Sequence, residues 1–270
     1  MERPAWAPPG IDISMPSVSR IYDFYLGGSH NFEVDREAAR RAMEFMPGLP
    51  KIMQANRAVM RRAVRHALSE GVTQFLDIGS GIPTFGNVHE VAQDADPEAR
   101  VVYVDHDPVA VAHSQAVLAG NDLATVVAAD LRKPHDILDH PELGQLLDLE
   151  RPVALLLVAV LHFIEDADDP QGAVETLRDA LAPGSMLIVT HASYEGVPVS
   201  EEQAGGTVDV YQQIKSPLVM RSRAEVARFF EGYEMVAPGL VPMAEWRPET
   251  PVAQEDPYAF SGFAGVGRKA

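Results

Sequence analysis

The stretch that most constrains this chain is Gln74-Phe75-Leu76-Asp77-Ile78-Gly79-Ser80-Gly81. Apolar residues carry it as a short buried strand to an acid, and a glycine-rich turn then leads into a helical pattern. Glycine allows the positive φ and the close backbone approach that such a turn needs. Open α/β sheets bind their ligands at this carboxyl edge. A dinucleotide site would require glycine at the sixth place counted from Gly79, where helix and strand close over a pyrophosphate. Thr84 stands there, after Pro83. An acid at the strand end repels a pyrophosphate and suits an ammonium group. The turn therefore favours S-adenosylmethionine over NAD, although a bare strand-to-helix turn would also carry such a string.

Two further apolar runs end the same way. Val101-Val102-Tyr103-Val104-Asp105 brings a carboxylate to where two vicinal ribose hydroxyls can be bridged, with His106 beside it. Thr125-Val126-Val127-Ala128-Ala129-Asp130 ends in an acceptor for an adenine amino group, with the Leu131 amide facing a ring nitrogen. Each acid alone could be a helix cap; three in succession match the ammonium, ribose and adenine of one cofactor. The run 152–160 is the most apolar and is expected at the sheet centre. It delivers Leu161-His162-Phe163 to the same edge, and Met186–His191 brings a second histidine there. Helical patterns near 35–46, 51–69, 86–94, 107–120, 170–182 and 222–232 separate these runs, so the chain reads as one α/β domain.

The flanks are less regular. Residues 1–16 hold four prolines and read as a poorly ordered lead-in. Between Ser17 and Phe32, Arg20, Tyr22, Asp23 and His30 surround Gly27-Gly28. That segment is either an amphipathic helix packed by its aromatics or a flap over cofactor and substrate. Arg57, Arg61, Arg62 and Arg65 share one helix face, expected to be solvated; an anionic substrate or acidic partner is the sharper reading. Residues 192–221 break the rhythm with Gly205-Gly206, Pro198 and Pro217, and read as a lid. The runs 233–240 and 258–266 are expected to pair as the last two strands. Glu165, Asp166, Asp168 and Asp169 follow His162, but acids before Pro170 suit a helix start, and no metal site is expected.

Composition narrows the chemistry. Among 270 residues there is no cysteine, which excludes disulfides, thiolate ligands and a thiol nucleophile, and with it cytosine-C5 methylation. The net charge of −17 opposes nucleic-acid binding. Neither a membrane span nor an export signal is legible, so the expected location is the cytoplasm.

Taken together, these residues resemble the class I S-adenosylmethionine-dependent methyltransferases. More narrowly, they resemble an actinobacterial S-adenosyl methyltransferase family once described as a domain of unknown function. The strings that carry the resemblance run from Arg20-Ile21-Tyr22-Asp23, Leu26-Gly27-Gly28 and Asn31-Phe32 through Asn56-Arg57 to Asp77-Ile78-Gly79-Ser80-Gly81 with Pro83-Thr84. They continue with Tyr103-Val104-Asp105, Asp130-Leu131-Arg132, Leu161-His162, Ala182-Pro183-Gly184-Ser185 and Trp246-Arg247-Pro248. The resemblance implies a Rossmann-like three-layer sandwich over residues 17–270, with a seven-stranded sheet parallel except for the last strand. A helical cap over 17–70 and the lid over 192–221 complete it. Pro83 departs from the wider superfamily, where a third glycine is common, but matches the narrower family.

The expected activity is direct transfer of the sulfonium methyl to an O, N or C nucleophile of a small-molecule acceptor, leaving S-adenosylhomocysteine. Asp77, Gly79, Ser80 and Gly81 would hold the methionine portion, Asp105 and His106 the ribose, and Asp130 and Leu131 the adenine, with Arg20 and Tyr22 reaching in from the flap. His162 is the first candidate for a general base, followed by His191 and Tyr22. The alternative is a cofactor-binding regulator that does not catalyse, with an occluded or featureless acceptor pocket. Acceptor and oligomeric state are not legible.

Overall fold

Eight strands make one sheet in the computed structural model, which describes residues 12–84, 86–193, 195, 200–213, 217–250 and 262–270. They are β1 (Gln74–Ile78), β2 (Arg100–Asp105), β3 (Ala124–Ala128), β4 (Ala154–Val158), β5 (Met186–His191), β6 (Tyr233–Met235), β7 (Val241–Pro242) and β8 (Phe263–Lys269). The order is β3-β2-β1-β4-β5-β8-β6, with β7 also paired to β8. Strands β1 to β5 are parallel to one another. β8 runs against β5, and β6 and β7 run against β8, so β8 alone is reversed. The expected seven strands are therefore present, and the two-residue β7 is an eighth. Of the expected final pair, β6 stops at Met235, and residues 258–261 lie outside those described.

Alternation along the strands separates two cores. Phe75, Val101, Leu156 and Ile188 face one side of the sheet, while Leu76, Val102, Leu155 and Leu187 face the other. A strand buried on both faces has to be apolar at every position, as β4 is. The helices on the first side include α1 (Val18–Tyr25), α2 (Glu33–Phe45), α3 (Leu49–Ser69) and α4 (Val88–Ala95). After α5 (Pro108–Val117), the chain adds the short α6 (Pro134–Leu138) and α7 (Pro141–Leu146), which the periodicity did not announce although each opens on proline at its first position. Next comes α8 (Pro170–Ala180), which packs on the second side.

The segment 192–221 contains a helix, α9 (Glu201–Gln213), that lies on α2. Gly206 allows the approach: a Cβ there would sit 2.3 Å from the Phe45 ring. Residue 194 and the stretches 196–199 and 214–216 of this segment are outside those described, as are residues 1–11 of the lead-in. The last helix is α10 (Arg223–Arg228), whose Ser222 cap and Glu225 form the expected capping box. Among the described residues, no helix is long and apolar enough to cross a membrane.

The N-terminal helices are tied together by Asp35, a buried carboxylate absent from the sequence-level candidates. It accepts from the Ser17 and Phe32 amides at 2.9 and 2.7 Å and from Arg20 Nε at 2.9 and 3.1 Å. Burial raises its pKa against the pull of these donors. Arg20 is thus held from both sides, since its other nitrogen donates to the Met15 carbonyl.

Candidate active site

β1 and β4 are neighbours, and from them the chain winds outward in opposite directions, which opens a crevice beyond their carboxyl ends. A cleft of about 670 Å³ occupies it, lined by Asp77, Gly79, Ser80 and Gly81 from the β1 turn, by Asp105 and His106 from β2, and by Asp130 and Leu131 after β3. The three acids from three strand ends therefore meet at one cleft. Parallel pairing in register makes this so, because Asp77 pairs beside Tyr103 and Asp105 beside Ala128.

The glycine turn is fixed from below. Gly79 and Ser80 donate to the Val104 carbonyl at 2.8 and 3.2 Å, and Gly81 donates to Asp105 Oδ2 at 2.7 Å. Gly79 (φ +74°) and Gly81 (φ +68°) occupy the left-handed region, and a Cβ on Gly79 would lie 2.5 Å from Val160 Cγ2. Asp105 Oδ1 accepts the Asp107 amide at 2.8 Å. Each carboxylate oxygen carries two lone pairs, so one on each remains for a diol. Burial raises Asp105, opposed by these two amides.

Asp77 is 7% exposed and is pushed up to about 7, first by burial and also by the charge of Asp105, while Arg57 pulls it down. It sits on the α3 face of the sheet, as Phe75 does, and so meets that helix. There the structure corrects the expectation of a solvated arginine face. Arg57 lines the cleft and donates to Gly86 O and Asn87 Oδ1 at 3.1 and 3.2 Å. Arg62 caps the Trp246 and Met243 carbonyls at 2.8 and 3.3 Å. Arg65 pairs with Glu249 at the surface. Buried Ser80 Oγ and Arg57 Nε have no protein partner among the described atoms. An acid, an arginine and an unpaired hydroxyl at one end fit the ammonium and carboxylate of a methionine head group, and the Asp105 lone pairs fit its ribose.

Asp130 is less free than its position suggested. Arg132 forks onto it at 2.6–3.1 Å. Partial burial alone would raise Asp130, but the hydrogen bonds and charge of Arg132 outweigh it and hold the pKa down. His106 is largely exposed, 3.8 Å from Asp105. Asp23 and His30 turn to the flap itself: Asp23 Oδ2 accepts the His30 amide and Asn31 Nδ2 at 2.9 and 2.8 Å. The flap is fastened over the cleft by a hydrogen bond from Ser17 Oγ to Asp107.

A second, apolar cavity of about 70 Å³ adjoins the cleft behind α1. Val18, Tyr22, Asn56, Ala159 and Phe163 line both spaces and form the wall between them. A polar chain crosses this wall. The Ala159 amide donates to Thr190 Oγ1 (2.9 Å), which donates to Asn56 Oδ1 (2.6 Å), and Asn56 Nδ2 donates to the Tyr22 hydroxyl (2.8 Å). Tyr22 passes its proton toward Met53 O at 3.4 Å. Ala159 takes a left-handed φ of 56° at the end of β4, strain of the kind that gathers at ligand sites.

His162 and His191 meet edge to face across the inner cavity, 5.4 Å between ring centres. The Ala192 amide donates to His162 Nδ1 at 3.2 Å, so that neutral ring carries its proton on Nε2. Burial, followed by the charges of His191 and Arg221, holds His162 well below its ordinary value. On His191, Nδ1 faces the Ala192 carbonyl at 2.7 Å and Nε2 faces Arg221 Nη1 at 3.0 Å. Arg221 can only donate and the carbonyl can only accept, which fixes the tautomer. Burial in first place keeps His191 low, at about 4. The expectation of a base at either ring meets a geometric obstacle: both lone pairs are engaged. Burial likewise raises Tyr22. Arg221 also holds Asp166 at 2.6 Å, Arg132 lies 3.8 Å from Asp168, and Asp169 caps α8, so three of the four acids after His162 have structural partners.

Arg57, Asn56 and Thr190 were missed as site residues. The one available signal was the Asn56-Arg57 pair inside a helix, where an asparagine is out of place unless it has a partner.

The comparisons agree with this geometry. A family model described as S-adenosyl methyltransferase matches residues 4–270. A candidate methyltransferase from Thermobifida fusca is 41% identical over 98% of this chain and 99% of its own, with a TM-score of 0.92. A DUF574 family protein from Streptomyces avermitilis is also 41% identical, over 96% and 99%, with a TM-score of 0.91. A methyltransferase from Anabaena variabilis shares the fold at 12% identity and a TM-score of 0.53, covering 78% of this chain and 85% of its own. No curated protein matches the chain. The chain belongs to the S-adenosyl methyltransferase family, and it is an S-adenosylmethionine-dependent methyltransferase.

Proposed function

We propose that the protein methylates a small molecule held in the cavity behind Tyr22 and Asn56, with the cofactor in the cleft on the other side of that wall. The observation that carries this reading is the shared lining: five residues border both spaces. When bound, S-adenosylmethionine supplies a methyl on a sulfonium, which an acceptor lone pair displaces in line to leave a neutral thioether.

The protein's part is orientation and exclusion of water. Asp77 and Arg57 would clamp the amino-acid end, Asp105 the ribose, and Asp130 with Leu131 the adenine. Tyr22 and Asn56, held by Thr190, would shape that wall for an acceptor atom. With both histidine lone pairs engaged, proximity carries the rate, and any proton leaves the acceptor after transfer. A defined apolar cavity beside the cleft favours catalysis over the cofactor-binding regulator.

Titration calorimetry of the purified protein with S-adenosylhomocysteine, 5′-methylthioadenosine and NAD tests the cleft. S-adenosylhomocysteine is expected to bind in the micromolar range, to bind more weakly to Asp105→Ala, and to outcompete NAD. Preference for NAD would refute the assignment.

A further inference from the structure

Resting on that reading, we infer that the acceptor is an uncharged, ring-bearing apolar molecule, and that the Nε2–H of His162 holds it by a hydrogen-bond-accepting atom. Three features of the inner cavity converge on this class of ligand.

The first is the absence of charge. Among the described residues, the lining includes no Asp, Glu, Lys or Arg, whereas Met46, Leu49, Ile52, Met53, Leu218 and Met220 all contribute. Moving an unpaired carboxylate or ammonium from water into such a wall is prohibitive. The nearest arginine, Arg221, is spent on the Leu161 and Ile164 carbonyls, His191 and Asp166.

The second is size. At ~10–15 Å³ for each water-sized group, a cavity of about 70 Å³ takes roughly one six-membered ring. Methionine side chains adapt to flat, apolar ligands at little cost.

The third is the hydrogen-bond inventory. Tyr22, Asn56 and Thr190 satisfy one another and the backbone. His191 is closed off by Ala192 and Arg221. His162 accepts at Nδ1 from the Ala192 amide, and its Nε2–H has no hydrogen-bond acceptor among the described residues. An N–H on the wall of this cavity without a protein partner is available to a ligand, and a carbonyl, ether or ring-nitrogen atom can accept it. His162 is thus a specificity residue of the acceptor site and supplies a donor where a base was expected.

Size-matched probes test the assignment with protein saturated in S-adenosylhomocysteine. Acetophenone carries a ring and an acceptor atom, ethylbenzene lacks the acceptor, and benzoate and benzylammonium add charge. Acetophenone is expected to bind at least about tenfold tighter than either ion and about fivefold tighter than ethylbenzene. In His162→Phe the preference over ethylbenzene should vanish, and in His162→Gln, which keeps an N–H, part of it should return. Tighter binding of an ion, or an unchanged preference in His162→Phe, overturns the proposal.

Histidine ¹⁵N spectra of the unmodified protein give a second reading that needs no variant. The His162 proton should stay on Nε2 between about pH 5 and 8, since burial first, then His191 and Arg221, oppose its charging; a titrating ring, or a proton on Nδ1, refutes the assignment. The two readings fail separately. Selective probe binding without cofactor binding would sink the cleft and leave this pocket standing, while cofactor binding without probe selectivity would sink the pocket alone.

Discussion

The cofactor cleft and the acceptor cavity share a wall but are built by opposite means. The cleft is polar, and its groups come from neighbouring strand ends: Asp105 is held by the Asp107 amide two residues on and by the Gly81 amide of the adjacent turn after β1. The cavity is apolar, and its wall is assembled across the whole molecule, with Asn56 bonded to Thr190 more than a hundred positions away. A site for a fixed cofactor can thus rest on local geometry, whereas one for a variable acceptor rests on helices and loops that substitution can reshape without touching the sheet.

Experiments can break that contrast. The largest effect is expected from Gly79→Ala, which places a methyl 2.5 Å from Val160 on a residue at φ +74°. The turn must shift, and S-adenosylhomocysteine affinity should fall by roughly 100-fold in calorimetry. Near-native affinity would mean the turn is not the cofactor's floor.

Arg57→Met separates the two ends of the cleft. Loss of one charge-assisted hydrogen bond is worth about 1.5–3 kcal/mol, so S-adenosylhomocysteine should bind about tenfold or more weakly. 5′-Methylthioadenosine, which lacks the amino-acid head, should be unaffected. Equal losses for both ligands would remove Arg57 from the methionine clamp.

Asp77→Asn adds a pH signature. Its folded pKa of about 7 lies above the ordinary 3.8, so the folded protein holds this proton more tightly than the unfolded chain does. The associated stability is present below about pH 4 and is lost as pH rises through 7. The ligand-free variant should therefore melt higher than the parent at pH 8 and equally at pH 4. Cofactor affinity should weaken about tenfold at pH 8 and lose the parent's decline below pH 7. A lower melting point at pH 8 would show that Asp77 is ionised at no cost in the free protein.

Tyr22→Phe should have the smallest effect. Burial raises the phenol, so the loss is one neutral hydrogen bond to Asn56, about 0.5–1.5 kcal/mol, or a few-fold in turnover once an acceptor is in hand. A hundredfold loss with an altered pH profile would instead make Tyr22 an acid–base group.

What could be read from the chain follows the same division. The glycine turn and the three acids each follow directly on an apolar strand, and parallel register alone carries those strand ends to one edge. Side-chain identity was a poorer guide where the partner is distant. Arg20 lines the cleft as expected, but its guanidinium is held by Asp35, a partner the sequence did not announce; Arg57 was placed in solvent, yet it faces Asp77.

The sequence by itself determined the alternation of strand and helix, the cofactor edge and its acids, since period, turn chemistry and strand length are local properties. Tertiary structure decided which lone pair each histidine keeps, which arginine reaches the cleft, and that the described lining of the cavity behind Tyr22 carries no charged residue. Those outcomes depend on groups brought together from α1, α3, β5 and the stretch after α9, and no local pattern records the partner a buried polar atom will find.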